Sequence, residues 1–391
     1  MKLKRIFSGI VCIFLFLCTF SSCTLVTTKP IDEERLPTTK PQEPEISAID
    51  KVLSSMSLEE KIYQLFFVTP EALTDMGQVT AAGEKTKEAL SARPVGGIIY
   101  FAPNFKDRAQ TIEMLSKIQS YSKVPLFLGV DEEGGRVARL STNAAMEVPH
   151  LPPMATIGAS DDTGLAYDAG RKIGDALYKL GFNIDFAPVA DVLIHPNNRE
   201  IGDRSFSTDP KQNAAMVYAF TQGLQETGVA ATLKHFPGHG ATVNNSHLGR
   251  TESTRTLEEM RENELLPFIS GIEADASFIM VSHLTATKIS DLPCTLSPQI
   301  MTELLRTELG YNGIIITDSM QMGAITDSYT SKEAAVMALS AGADMILMPL
   351  HLTNAVDGVI EAVENGIISE ERINEKVSRI LSVKEKLGLF R

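Results

Sequence analysis

Tryptophan is absent from the 391 residues, and only four cysteines occur: Cys12, Cys18, Cys23 and Cys294. The first three all lie near the amino terminus, which leaves a single thiol for the remaining chain. No disulfide framework and no cysteine-based zinc site can be assembled from one thiol. Cys294, in Asp291-Leu-Pro-Cys-Thr-Leu-Ser297, has no basic neighbour in sequence and reads as inert rather than nucleophilic. Basic clusters are also lacking: past the first five residues no block of Lys and Arg occurs, and the net charge is −13. Nucleic acid is thereby set aside as a partner, because phosphate backbones call for clustered cations. Long apolar runs are missing too. The one candidate, from Ile6 to Phe20, is short for a membrane span.

What is present begins with an export pattern. Met1-Lys-Leu-Lys-Arg5 supplies a positive start, the apolar run follows, and Ser21-Ser-Cys23 ends it, so residues 1–22 read as a signal peptide. Phe20-Ser-Ser-Cys23 resembles a bacterial lipobox. That resemblance implies cleavage before Cys23, lipidation of its thiol, and an exported protein anchored to the membrane as a lipoprotein. A plain secretory signal or an uncleaved anchor are the alternatives. Residues 23–47 hold Pro30, Pro37, Pro41 and Pro44 among Thr, Lys and Glu, with too little to bury, and read as a disordered tether.

Residues 48–391 carry a different pattern, with 43% hydrophobic and 22% charged residues over the whole chain. Ser57-Leu-Glu-Glu60 is a capping box that opens a helix. Short apolar runs then alternate with amphipathic stretches. Strands are expected at 64–68, 96–101, 125–130, 183–189, 230–234, 277–282, 313–317 and 344–348. Helices are expected at 84–92, 109–120, 164–180, 212–226, 257–271, 298–309, 332–341 and 369–387, the last with Ile373, Val377, Ile380 and Leu381 on one face. Unbroken apolar strands alternating with helices describe a parallel sheet covered on both sides. Eight of them predict an α/β fold, a single TIM-type (β/α)8 barrel, with an open doubly wound sheet as the alternative. No second domain is expected after the eighth unit.

In such a barrel the active site sits at the carboxyl ends of the strands. The polar residues are placed accordingly. Asp131 follows the third strand, Lys234 and His235 end the fifth, His283 ends the sixth and Asp318 the seventh. A charged group where a buried strand runs out is costly without a partner or a task.

The chemistry can be narrowed from the same residues. His235 and His239 are four apart, yet Pro237 and Gly238 forbid the helix that would bring both rings to one metal. The first strand lacks the His-x-His of metal-dependent amidohydrolase barrels. Gly134-Gly135 and Gly238-His-Gly240 lack a complete nucleotide-binding fingerprint. Ser246 has no Gly-x-Ser-x-Gly elbow around it. A carboxylate mechanism fits best, with Asp318 as nucleophile and a proton donor on the loop between Gly238 and Arg250.

Lys234-His-Phe-Pro-Gly-His-Gly240, Ser246-His247 and Thr317-Asp-Ser-Met320, with Asp131-Glu-Glu-Gly-Gly-Arg-Val-Ala-Arg139 and Gly202-Asp-Arg-Ser-Phe206, together resemble glycoside hydrolase family 3. The resemblance is to its bacterial β-N-acetylhexosaminidase branch and covers nearly everything from Ile49 onward. It implies that Asp318 forms a glycosyl-enzyme intermediate and that His247 is the general acid and base. It implies too that Asp131, Arg139, Arg204, Lys234 and His235 bind the terminal sugar through charge-assisted hydrogen bonds. His239 would shape the loop and His283 would stand behind the site. The activity implied is that of an exo-acting retaining β-N-acetylglucosaminidase trimming cell-wall muropeptides, with no cofactor and no obligate protein partner. The lack of tryptophan removes a common sugar-stacking surface without excluding that activity.

One departure stands out. The family carries Asp two residues before the catalytic histidine, and this chain has Asn245. An amide accepts a hydrogen bond but brings no negative charge to a protonated imidazole. A β-glucosidase of the same family and a catalytically silent glycan-binding lipoprotein are the alternatives.

Overall fold

The computed structural model describes residues 48–242 and 249–390. The leader and tether at 1–47, with Cys23, lie outside the described residues, as do Asn245, Ser246 and His247. No helix among the described residues is long and apolar enough to cross a membrane.

Eight parallel strands form one sheet: β1 (Phe66–Val68), β2 (Gly97–Tyr100), β3 (Phe127–Val130), β4 (Ile184–Asp185), β5 (Ala230–Phe236), β6 (Phe278–Val281), β7 (Ile314–Thr317) and β8 (Ile346–Leu347). Strands β1 to β7 pair successively in chain order, and β1 also pairs with β8. A parallel bridge between Ile316 and Met345 closes the ring, so the sheet is a barrel with helices outside it. All eight expected strands are found.

Aromatic rings fill the interior. Phe67 of β1 meets Phe186, just beyond β4, edge to face at 5.3 Å. Phe127 of β3 meets Phe278 of β6 at 5.1 Å in the same manner. Such contacts between non-adjacent strands are made through the barrel axis. Gly97 and Gly129 make room for them: a β-carbon at Gly97 would stand 2.6 Å from the Phe67 ring, and one at Gly129 2.8 Å from the Phe186 ring. Close packing of this kind leaves no space for an added methyl.

The capping box at Ser57 forms as expected, with Ser57 accepting from the Glu60 amide and Glu60 accepting from the Ser57 amide. Among the elements that differ from expectation, three bear on the barrel. The run 183–189 keeps only Ile184–Asp185 in the ladder, because Pro188 has no amide hydrogen to donate; Val189 rejoins as an isolated bridge to Lys234. The stretch 257–271 is two helices, Leu257–Glu262 and Leu265–Glu273. Restarting at Leu265 puts Pro267 in a first turn, where a missing amide hydrogen costs nothing. A further helix, Leu352–Glu364, follows β8.

The final helix, Glu370–Lys386, buries Ile373, Val377, Ile380 and Leu381 completely, as its spacing predicts. It also buries two lysines. The Lys384 amine donates to Gln64 Oε1 at 2.8 Å and lies 4.9 Å from the centre of the Phe127 ring, and burial lowers its pKa to about 7. Lys376 donates to the Ala343 carbonyl, and burial lowers its pKa to about 8.

Candidate active site

A cleft of about 420 Å³ is lined by Asp131, Arg139, Arg204, Lys234, His235 and Asp318. These are six of the seven catalytic and sugar-contact positions expected from sequence. The seventh, His247, lies outside the described residues. The cleft is at the carboxyl ends of the strands: Asp131 directly follows β3, Lys234 and His235 belong to β5, and Asp318 directly follows β7. Arg139 follows a small antiparallel pair, Glu132–Gly134 with Val137–Ala138, whose register places Glu132 opposite Ala138. Buried Glu132 holds that hairpin by accepting the amides of Arg139, Leu140 and Ser141. Arg204 ends a single helical turn, Gly202–Arg204.

An ionic network joins these side chains. Lys234 Nζ reaches Asp131 Oδ1 at 2.8 Å and Glu133 Oε1 at 2.6 Å. Arg204 takes Glu133 with both arms, Nε to Oε2 at 2.8 Å and Nη2 to Oε1 at 2.9 Å. Arg139 Nη2 stands 3.6 Å from the other oxygen of Asp131, and its guanidinium lies 5.6 Å from the centre of the Phe101 ring.

The charges are mutually sustained. Burial alone would raise the Glu133 pKa, but Arg204 and Lys234 overcome it and hold the carboxyl well below the usual carboxylate range. Burial would lower the pKa of Lys234; Asp131 and Glu133 reverse the sign, and the ammonium is held above its ordinary value. Asp185, at the end of β4, has no such partner. Its burial raises its carboxyl well above the ordinary value, even though it accepts the Glu132 amide.

Around Asp318 the backbone is fixed by the strands. Its amide donates to the Val281 carbonyl of β6 at 2.9 Å, and its Oδ1 accepts the Ser319 amide at 2.7 Å. His283, fully enclosed, bridges Thr295 Oγ1 at 2.7 Å and the Ser319 carbonyl at 2.8 Å, so it braces the turn that carries Asp318. His239 is also buried. Burial keeps its pKa below the ordinary value despite the nearby Asp191.

Sequence reasoning missed Glu133, Asp191 and Glu200. Glu133 is two positions from Asp131, the spacing that puts alternate residues of extended backbone on one side. Asp191 interrupts the apolar run Phe186–Val192, which was the available signal. Glu200 lines the cleft from a loop, and its carbonyl accepts from Arg204 Nη1 at 3.0 Å, a contact no local pattern announces.

A closed parallel barrel with a polar, ion-lined cleft at its carboxyl face has the architecture of a barrel enzyme. Residues 57–383 match the family described as Glycosyl hydrolase family 3 N terminal domain, and the chain belongs to that family. It is 32% identical over 336 residues to a β-hexosaminidase A of Pseudoalteromonas piscicida, a match covering 79% of this chain and 56% of the relative. It is 35% identical over 285 residues to a β-hexosaminidase of Stenotrophomonas maltophilia, covering 71% of this chain and 82% of the relative. Among solved structures, a glycoside hydrolase family 3 β-N-acetylglucosaminidase from Paenibacillus superposes with a TM-score of 0.79 at 35% identity. That superposition covers 86% of this chain and 64% of the other. The chain therefore spans less than two thirds of the length of two of these relatives.

Proposed function

We propose that the chain is an exo-acting, retaining β-N-acetylglucosaminidase that removes terminal N-acetylglucosamine from cell-wall muropeptides. The observation that carries this reading is the convergence of Asp318 with Asp131, Arg139, Arg204, Lys234 and His235 in one cleft. The hexosaminidase and N-acetylglucosaminidase relatives support the substrate class.

In the proposed mechanism Asp318 attacks the anomeric carbon while His247 protonates the leaving oxygen. Water, deprotonated by His247, then releases the sugar from the glycosyl-aspartate with overall retention. The substrate's hydroxyls lie against the ionic network. There Lys234, Arg204 and Arg139 act as donors and Asp131 as an acceptor, already oriented by their mutual bonds before the sugar arrives. Lipidation at Cys23 would hold the exported enzyme on a membrane, next to its polymeric substrate.

A silent glycan-binding protein is the second reading, favoured by Asn245 standing where the family carries Asp. An aryl β-N-acetylglucosaminide distinguishes the two. Turnover abolished by Asp318→Ala, together with a labelled peptide containing Asp318 after trapping with a slow fluorosugar, supports the enzyme. Sugar binding without turnover supports the binder. Aryl glycosides that differ only at C2 decide between N-acetylglucosaminidase and β-glucosidase.

A further inference from the structure

Asp191 lies in the segment after β4, fully buried between Ala190 and Val192, which are themselves buried. A carboxylate in that setting requires donors, and it finds three. Oδ2 accepts from His235 Nδ1 at 2.7 Å and from the His235 amide at 3.2 Å. Oδ1 accepts from the His239 amide at 2.6 Å. One side chain thus grips both the cleft-lining imidazole and the backbone of the glycine-rich turn beyond it.

The other ring nitrogen is also constrained. Arg204 Nη2 stands 3.5 Å from His235 Nε2. Arg204 cannot swing aside, because Glu133 holds it at two points. A guanidinium carries only donors, so the nitrogen facing it offers a lone pair, and the ring's proton belongs on Nδ1.

We propose that Asp191 is a positioning residue that sets His235 in its Nδ1–H tautomer, so that Nε2 accepts from Arg204 and the imidazole and guanidinium line the cleft in one fixed arrangement. The consequence for sugar binding rests on the glycosidase reading; the tautomer does not. Nε2 has a single lone pair, and Arg204 Nη2 faces it at 3.5 Å. The opposite tautomer would set an N–H against the guanidinium and release both groups from that arrangement.

The test is nitrogen NMR on protein with 15N-labelled histidine, with His235 assigned by its loss in His235→Gln. In wild-type protein the ring is expected to carry its proton on Nδ1 and none on Nε2. In Asp191→Asn the side-chain amide can donate to Nδ1, which moves the proton to Nε2, the same logic by which Asp-to-Asn behind a histidine misplaces its proton in serine hydrolases. The dissociation constant for N-acetylglucosamine is expected to rise about tenfold in that variant, the worth of one hydrogen bond. A wild-type ring protonated on Nε2, or an unchanged tautomer in folded Asp191→Asn, would overturn the role of Asp191. A moved proton with unaltered sugar affinity would overturn the claim that this arrangement of His235 and Arg204 serves sugar binding. If the variant does not fold, the wild-type spectrum alone decides the tautomer. Wild-type protein that neither binds nor cleaves N-acetylglucosaminides would sink the glycosidase reading, while the spectra, recorded without sugar, would still judge Asp191.

Discussion

Glu133 and Arg204 face each other through two parallel hydrogen bonds, 2.8 and 2.9 Å long, with both side chains shut away from solvent, and Lys234 closes on the same carboxylate at 2.6 Å. Two residues proposed to bind sugar are thus held by a third that sequence did not single out. Replacing Glu133 with Gln would leave buried Arg204 facing a neutral amide and Lys234 with Asp131 alone. Breaking a buried pair in this way costs about 3–5 kcal/mol. Urea unfolding of Glu133→Gln is expected to show a loss of that order, with turnover falling further than the remaining folded fraction explains.

The same residue sets an acid limit. The folded carboxyl of Glu133 is held far below its unfolded value of 4.5. Its contribution to stability is therefore complete above that pH and is lost as pH falls further, because the unfolded chain then binds a proton that the folded chain refuses. Acid titration of stability should show a shallower decline for Glu133→Gln than for the wild type below about pH 4.5.

At alkaline pH the final helix imposes the opposite slope. Lys384 and Lys376 have folded values near 7 and 8 against an ordinary 10.5. Between those values and 10.5 the unfolded chain holds protons that the folded chain does not, so stability rises with pH. The slope approaches about 1.4 kcal/mol per pH unit for each lysine. Urea titrations across that window should show the rise, and Lys384→Met should remove roughly half of it. A flat profile in the wild type would mean that these amines remain charged in the folded protein.

Gly240 is tied to the segment that carries Asp191. A β-carbon there would stand 1.8 Å from the Val192 carbonyl oxygen, and the Gly240 carbonyl accepts the amides of Ile194 and His195. Gly240→Ala must push these backbones apart, at a cost of about 1–3 kcal/mol. The expected phenotype is a modest drop in melting temperature with a larger fall in kcat/KM, since the displaced turn is continuous with His235 and His239. Unchanged kinetics would show that the turn tolerates the shift.

Asn245→Asp is expected to restore negative charge beside His247. Turnover of substrates with poor leaving groups should rise roughly 10- to 100-fold, within the range general acid catalysis supplies, and activated aryl glycosides should change far less. Equal gains on both would remove the argument that the missing charge assists proton donation.

Some of this molecule was legible before any coordinates. The eight apolar strands, the capping box at Ser57 and the apolar face of the final helix follow from short-range spacing, because side-chain direction repeats along a strand or helix whatever lies opposite. The positions of Asp131, Lys234, His235 and Asp318 were equally readable, since a polar group interrupting an apolar run marks where the strand nears the rim of the barrel. Tertiary structure alone decided who answers each charge. Glu133 meets Arg204 and Lys234 across 71 and 101 positions of sequence (133 to 204 and 133 to 234), Asp191 meets His235 across 44, and Lys384 reaches Gln64 across 320. Local periodicity carries no information over such separations. Only closing the barrel brings the ends of β3, β4 and β5 to one rim, where each buried charge must find its counterpart or be neutralised, as the raised carboxyl of Asp185 shows.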